Sequence, residues 1–159
     1  MNNYSDDFLK CKDCAFYYLN RKRHSKKELT EKLIKKEYDV SVAKEVADYL
    51  EEAGYIDDAD YARRYILDAV KLKKHGVVRI KRDLSIKGID RDIIDKVIID
   101  MDIDTDSVLT DLIEKKAFNI DLNDEKQLNR LHGFLLRRGF KYGDINDAIS
   151  EYRSKKENI

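Results

Sequence analysis

The chain repeats itself, and that constrains its fold more than any other feature. Ala15, Ile66 and Ala117 are each separated by 51 positions, as are Phe16, Leu67 and Phe118. At the same spacing follow Leu29, Ile80 and Leu131, then Leu33, Leu84 and Leu135. Tyr38, Ile89 and Phe140, and finally Val46, Val97 and Ala148, complete the register. Three copies fit without a gap. Every one of these positions is apolar in every copy, so the match predicts a common core rather than a shared surface. A copy of this length is marginal as a separate fold, which favours stacking of neighbours that bury a continuous core.

The copies read as helices. Among 159 residues there is no proline and there are only six glycines, so the punctuation of hairpins and sandwiches is missing. In the first copy Cys11, Ala15, Tyr18 and Leu19 recur at helical spacing, and Leu29, Leu33 and Ile34 open a second helix behind Ser25. Ser25 with Glu28 forms a capping-box pattern. Val42, Val46, Tyr49, Leu50 and Ala53 make a third helix, expected to start behind Ser41 with Glu45 inside it and to end at Gly54. The second copy repeats the plan as Tyr61 to Lys74, Arg79 to Lys87 and Ile93 to Met101, with breaks at Gly76 and Gly88. The third runs Val108 to Phe118, Leu128 to Arg138 and Ile145 to Tyr152, with a break at Gly139. Gly88 and Gly139 share a repeat position at the end of the middle helix, where a left-handed residue turns the chain. Glu37 stands there in the first copy, which suggests a longer or differently ended middle helix. The expected architecture is all-α, an elongated, curved array of three-helix repeats over 7–57, 58–106 and 107–157.

The charges are many and balanced. Residues of types Asp, Glu, Lys and Arg make up 40% of the chain, yet 32 basic residues face 32 acidic ones, so only their distribution can attract a polyanion. The most basic segment holds Lys71, Lys73, Lys74, Arg79, Lys81, Arg82, Lys87 and Arg91 against Asp83 and Asp90. Arg79 and Arg82, three apart beside Lys81, are expected on the solvent face opposite Ile80 and Leu84. Guanidinium forks there suit phosphate and carboxylate oxygens, although a plain solvated face is the commoner meaning of such a stripe. Arg21, Lys22, Arg23, His24, Lys26 and Lys27 form a second basic run at the turn between the first two helices.

No catalytic constellation emerges. His24, His75 and His132 are scattered without a nucleophile at motif spacing, and no glycine loop for phosphate is present. Asp100, Asp102, Asp104 and Asp106 alternate like a calcium loop but lack its glycine and its closing glutamate at the proper place. Cys11 and Cys14 fall on one helical face, too few for a zinc site, and read as reduced packing residues. The tyrosines Tyr17, Tyr18, Tyr38, Tyr49, Tyr55, Tyr61 and Tyr65 could stack on bases, but helix packing with a wet hydroxyl is their usual work. No cofactor or metal is expected. No apolar run approaches the roughly 20 residues of a membrane span, and the polar, acidic start argues for the cytoplasm.

The second copy contains GYIDDADYARRYI from Gly54 to Ile66 and HGVVRIKRDLSIKGID from His75 to Asp90, and the first adds RKRHSKKELTEKL. Together these resemble the signature of the RecX family, at Asp57, Asp58, Tyr61, Ala62, Gly76, Arg79, Ile80, Leu84, Lys87 and Gly88. The third copy matches only in pattern. The resemblance implies a non-enzymatic, monomeric regulator that lodges in the groove of the RecA recombinase filament. It also implies contact with the DNA backbone and restraint of filament growth, ATP hydrolysis and strand exchange. Some members of the family carry an additional amino-terminal portion, so repeats beginning near Asp7 suggest the short form or a truncated chain. The residues expected to meet the filament or its DNA are Arg79, Lys81, Arg82, Lys87, Lys71, Lys73 and Lys74, with Arg21, Lys22, Arg23, Lys26 and Lys27. Asp57, Asp58 and Asp60 are expected to serve structure, Asp57 or Asp58 as the cap of the helix near Tyr61. From the residues alone, a free-standing DNA binder and a helical scaffold for a protein partner stay open beside this reading.

Overall fold

The computed structural model describes residues 3–159, and every regular element among them is an α-helix. The first copy holds α1 (Asp6–Leu19), α2 (Lys26–Lys35) and α3 (Val40–Glu52). The second holds α4 (Asp58–Lys71), α5 (Val77–Ile86) and α6 (Arg91–Met101), and the third α7 (Thr105–Ala117), α8 (Glu125–Arg137) and α9 (Tyr142–Glu157). The fold is thus three tandem three-helix domains. Among the described residues, no helix is long and apolar enough to cross a membrane.

The register read from the sequence carries into burial. Ala15, Ile66 and Ala117 are buried, as are Leu29, Ile80 and Leu131, and Leu33, Leu84 and Leu135. One aligned set departs from this. Phe16 is half-buried against the ring of Tyr55, but Leu67 and Phe118 are exposed, Phe118 by 76%. Each follows a fully buried residue by one position, about 100° around the helix, which carries it off the core face. Leu67 and Phe118 thus lie on the surface, contrary to expectation, while Phe16 packs against the first core.

The chain forms two compact units. One comprises the chain up to Arg64 together with Leu84–Val97, the other Tyr65–Asp83 together with Ile98–Ile159. In the first, Phe8, Cys11 and Ala15 of α1 meet Leu29, Leu33, Val46 and Leu50 of α2 and α3. Tyr4 stacks on Phe8, and the edge of Tyr49 closes that cluster at 5.7 Å. Burial, reinforced by the neighbouring Cys14, pushes the Cys11 thiol up to about 11, so Cys11 is an inert apolar residue here. In the second unit Leu109, Ile113, Leu131, Leu135, Ile145 and Ile149 belong to one buried apolar cluster.

The helix ends correct several expectations. Ser41 lies inside α3, whose cap position is Asp39, without a side-chain cap bond. Gly54 does end that helix, at φ +85°, as expected. Helix α4 begins three residues before Tyr61 and ends at Lys71, so Lys73 and Lys74 are outside it, and Lys74 turns the chain at φ +56°. Helix α2 is neither longer nor differently ended than its counterpart α5: both run ten residues, and Glu37 takes the left-handed conformation at φ +68° despite its side chain.

Candidate functional site

The residues gathered around the start of α2 explain much of the sequence pattern. Ser25 is fully buried and its Oγ accepts the Glu28 N–H at 3.1 Å, while Glu28 Oε1 accepts the Ser25 N–H at 3.3 Å. The predicted capping box is therefore present. The same hydroxyl donates to the Lys87 carbonyl at 2.6 Å, just past the end of α5. Of the two candidates for the cap of α4, Asp57 takes it, accepting the Asp60 N–H at 3.0 Å, while Asp58 accepts the Lys26 N–H at 2.9 Å and so caps α2. Glu28 stays ionised below its ordinary range although burial works to raise it, because Tyr61, the Ser25 N–H and Lys87 outweigh that burial. The carbonyl end of α5 thus meets the amide end of α2, an arrangement that satisfies orphan groups of both helices.

Fifty-one residues on, the same join is built with different groups. Gly76 replaces Ser25, and its N–H donates to the Arg138 carbonyl at 2.7 Å while the Val78 N–H donates to the Gly139 carbonyl at 3.1 Å. A Cβ at Gly76 would sit 2.5 Å from that Gly139 oxygen, so the backbones approach too closely for any side chain. Gly88 and Gly139, both left-handed, carry a second demand. A Cβ at Gly88 would overlap Lys27 at 2.4 Å, and one at Gly139 would overlap Arg79 at 2.4 Å. Ahead of each join stands a buried histidine, His24 or His75, in equivalent repeat positions. His24 Nδ1 donates to the Lys22 carbonyl at 2.9 Å.

These joins take up several of the cations expected to face a partner. Arg79 is not free on the solvent face. Its Nη1 donates to the Arg137 carbonyl at 3.2 Å and its Nε lies 3.6 Å from Asp83, itself the acceptor of the Tyr65 hydroxyl at 2.9 Å. Lys87 approaches Glu28 at 4.0 Å, Lys26 is held by Asp48 at 2.6 Å and Glu51 at 3.0 Å, and Arg23 bonds Asp60 at 3.2 Å. Lys27 lies over Gly88 and 3.9 Å from Glu31.

Others point outward. In the first unit Arg21 and Lys22 are exposed, Arg21 resting 4.6 Å from the centre of the Tyr17 ring. In the second, Lys71, Lys73, Lys81 and Arg82 are exposed and Lys74 is half-buried. Arg82 Nε lies 3.8 Å from Asp83. Lys73 lies 5.4 Å from the Tyr65 ring centre, and its carbonyl accepts from Arg138. The exposed cations expected to meet a partner thus lie, in that unit, on the α4–α5 turn and on α5.

Comparison with known proteins places this geometry. The family profiles described as the first, second and third three-helix domains of RecX match residues 11–50, 57–98 and 104–149. The chain belongs to the RecX family. It is 32% identical over 151 residues to a protein named regulatory protein RecX in Clostridium botulinum, covering 92% of this chain and 70% of that one. The namesake in Vibrio vulnificus is 28% identical, over 94% of this chain and 97% of its own length. Among solved structures, RecX from Lactobacillus salivarius superposes with a TM-score of 0.81 at 28% identity, over 93% of this chain and 97% of that one.

Membership in this family of regulatory proteins gives the joins a second meaning. Most of the RecX signature positions in this chain are structural in a nameable way: Asp57 and Asp58 cap α4 and α2, Gly76 permits close approach of two backbones, Gly88 leaves room for the Lys27 side chain, and Ala62, Ile80 and Leu84 are buried. Tyr61 and Lys87 converge on Glu28. The RecX signature of this chain therefore encodes how its repeats are joined, while Lys81 and Arg82, between signature positions, present charge. Of the alternating aspartates, Asp104 caps α7 by accepting the Ser107 N–H at 2.9 Å and Asp102 turns the chain at φ +46°.

One cationic region of this RecX-family chain had no signal in the sequence. Lys116, Lys126 and Arg130 border a hollow of about 480 Å³ beside the start of α8. They belong to no basic run, because Asp124 and Glu125 interrupt them, and only the folding of α7 back along α8 brings them together.

Proposed function

We propose that this RecX-family protein regulates recombination without catalysing a reaction, by binding the RecA nucleoprotein filament and restraining its growth and ATP hydrolysis. The reading is carried by one observation: all three RecX domains are present in order, and α5 of the middle one holds Lys81 and Arg82 outward while Arg79 and Lys87 secure its ends. In this proposal Lys81 and Arg82, with Lys71, Lys73 and Lys74, meet phosphate oxygens of the filament's DNA or carboxylates of the recombinase. Arg21 and Lys22 serve the same end from the first domain. Lysine and arginine on an exposed face give sequence-independent contact that weakens steeply with salt, as required of a partner that must engage any sequence. Arg79, Arg23, Lys26, Lys27 and Lys87 support the presenting helices.

The test is recombinase ATPase on single-stranded DNA as the protein is titrated from substoichiometric to equal amounts. The Lys81→Glu, Arg82→Glu double variant should keep its helical circular dichroism and lose inhibition by about tenfold or more, on the order expected for two lost charge contacts. Inhibition equal to that of the unaltered protein would remove both residues from the interface, and no inhibition by the unaltered protein would end the reading itself.

A further inference from the structure

The hollow beside α8 has the chemistry of a peptide site, and it involves none of the cations of the reading above. Its volume, about 480 Å³, lies within the roughly 300–1,000 Å³ of ligand-sized clefts. Its lining combines an apolar part, Ile120, Leu131 and Phe134, with the ammonium groups of Lys116 and Lys126 and the guanidinium of Arg130. The single lining carboxylate, Asp124, is already engaged. Its Oδ2 accepts Gln127 Nε2 at 3.1 Å and its Oδ1 the Gln127 and Lys126 N–H groups at 3.4 and 2.9 Å, which together hold it below the ordinary carboxylate range. Three cations of the lining thus face one carboxylate, which answers Arg130 in part, and the hollow keeps an excess of positive charge.

From this we infer that the hollow receives an acidic segment of a protein partner, with an aliphatic side chain seated on Ile120 and Leu131 and flanking carboxylates at Lys116, Lys126 and Arg130. Two further observations favour peptide over single-stranded nucleic acid. A base needs a bare aromatic face to stack on. Phe134 already carries Lys116 Nζ at 4.7 Å and the Arg138 guanidinium at 5.0 Å from its ring centre. Phe118, 76% exposed at the end of α7 and two residues before Ile120, is a large apolar group of the kind that protein interfaces cover.

The experiment uses the whole chain and a short synthetic peptide of Glu and Asp around a central pair of leucines, followed by fluorescence anisotropy and by amide chemical shifts. Saturable binding is expected, with shifts centred on Ile120, Lys126, Gln127 and Arg130. The Lys126→Glu, Arg130→Glu variant should weaken it by about tenfold or more, whereas Lys81→Glu with Arg82→Glu should leave it unchanged. Because both altered side chains of the first variant are on the exposed face of α8, its melting should match that of the unaltered chain; the shift map stands without it. No binding, shifts centred elsewhere, or tighter binding of oligothymidylate at the same amides would each overturn the inference.

Discussion

At the residue scale, one repeat position shows how a neighbour dictates sequence. Positions 37, 88 and 139 all take left-handed backbone, at φ +68°, +83° and +95°. Glycine stands at the last two and glutamate at the first. The difference follows from what a Cβ would meet: Lys27 at Gly88 and Arg79 at Gly139, whereas Glu37 is exposed. Glu37 bears only the cost of left-handed backbone for a side-chain-bearing residue, about 1–2 kcal/mol, partly offset by the entropy a glycine would lose. Glu37→Gly should therefore raise stability by about 0.5–1 kcal/mol, read as a higher urea midpoint at unchanged slope. Gly139→Ala should lower it by about 2–4 kcal/mol, strain and overlap together. An equal, small effect of the two changes would mean that contact between repeats is not what selects glycine. The sequence spacing exposed this shared position but not its reason, because close approach of Arg79 to Gly139 is a fact of packing across 60 residues.

At the scale of the element, the helices were legible wherever a local chemical device fixed them. The Ser25 and Glu28 pair announced α2, and the apolar spacing of Leu29, Leu33, Ile80, Leu84, Leu131 and Leu135 located the three middle helices. Ser41 misled because serine favours a cap, yet Asp39 precedes the apolar run just as well and tertiary packing of Ala43 and Val46 decided the start. Asp58 was legible as a cap but not as the cap of which helix, since its target, the Lys26 N–H, is 32 residues away in sequence. Ser25 joins the two kinds of information: one hydroxyl serves both the local cap and the join to Lys87. Ser25→Ala should lose a cap worth about 0.5–2 kcal/mol and strand a partly buried carbonyl at a further cost of about 1 kcal/mol. Ser25→Gly, which mimics the second join at Gly76, should recover part of the cap and none of the bond to Lys87. Urea unfolding of the two variants separates these contributions; a Ser25→Gly chain as stable as the unaltered one would deny the hydroxyl any role beyond the cap.

Across the whole molecule, charge was the least legible property, because sequence gives the order of charges and not their partners. Of the predicted cations, Arg79, Lys26 and Arg23 are held by carbonyls or carboxylates, while Lys116, Lys126 and Arg130 gather without any basic run to announce them. The histidines went the same way: they looked scattered, yet His24 and His75 occupy one repeat position, buried beside the two joins, one in each unit. Burial lowers the pKa of both. The Lys32 and Lys22 charges add to this at His24 against its bond to the Lys22 carbonyl and the charge of Glu28. Arg79, Lys73 and Arg138 add to it at His75 against Asp83. A lowered folded pKa means that the unfolded chain binds protons first as the pH falls. The contribution of each histidine is thus intact above its unfolded pKa of about 6.5 and is lost as pH falls from there through the lowered folded value. The slope cannot exceed about 1.4 kcal/mol per pH unit for each histidine. The urea midpoint should fall between pH 7 and pH 5, before most carboxylates titrate, and the His24→Gln, His75→Gln double variant should show a flatter profile over that interval. A profile equally steep without the two imidazoles would assign the acid sensitivity to other groups and leave the joins between repeats indifferent to pH.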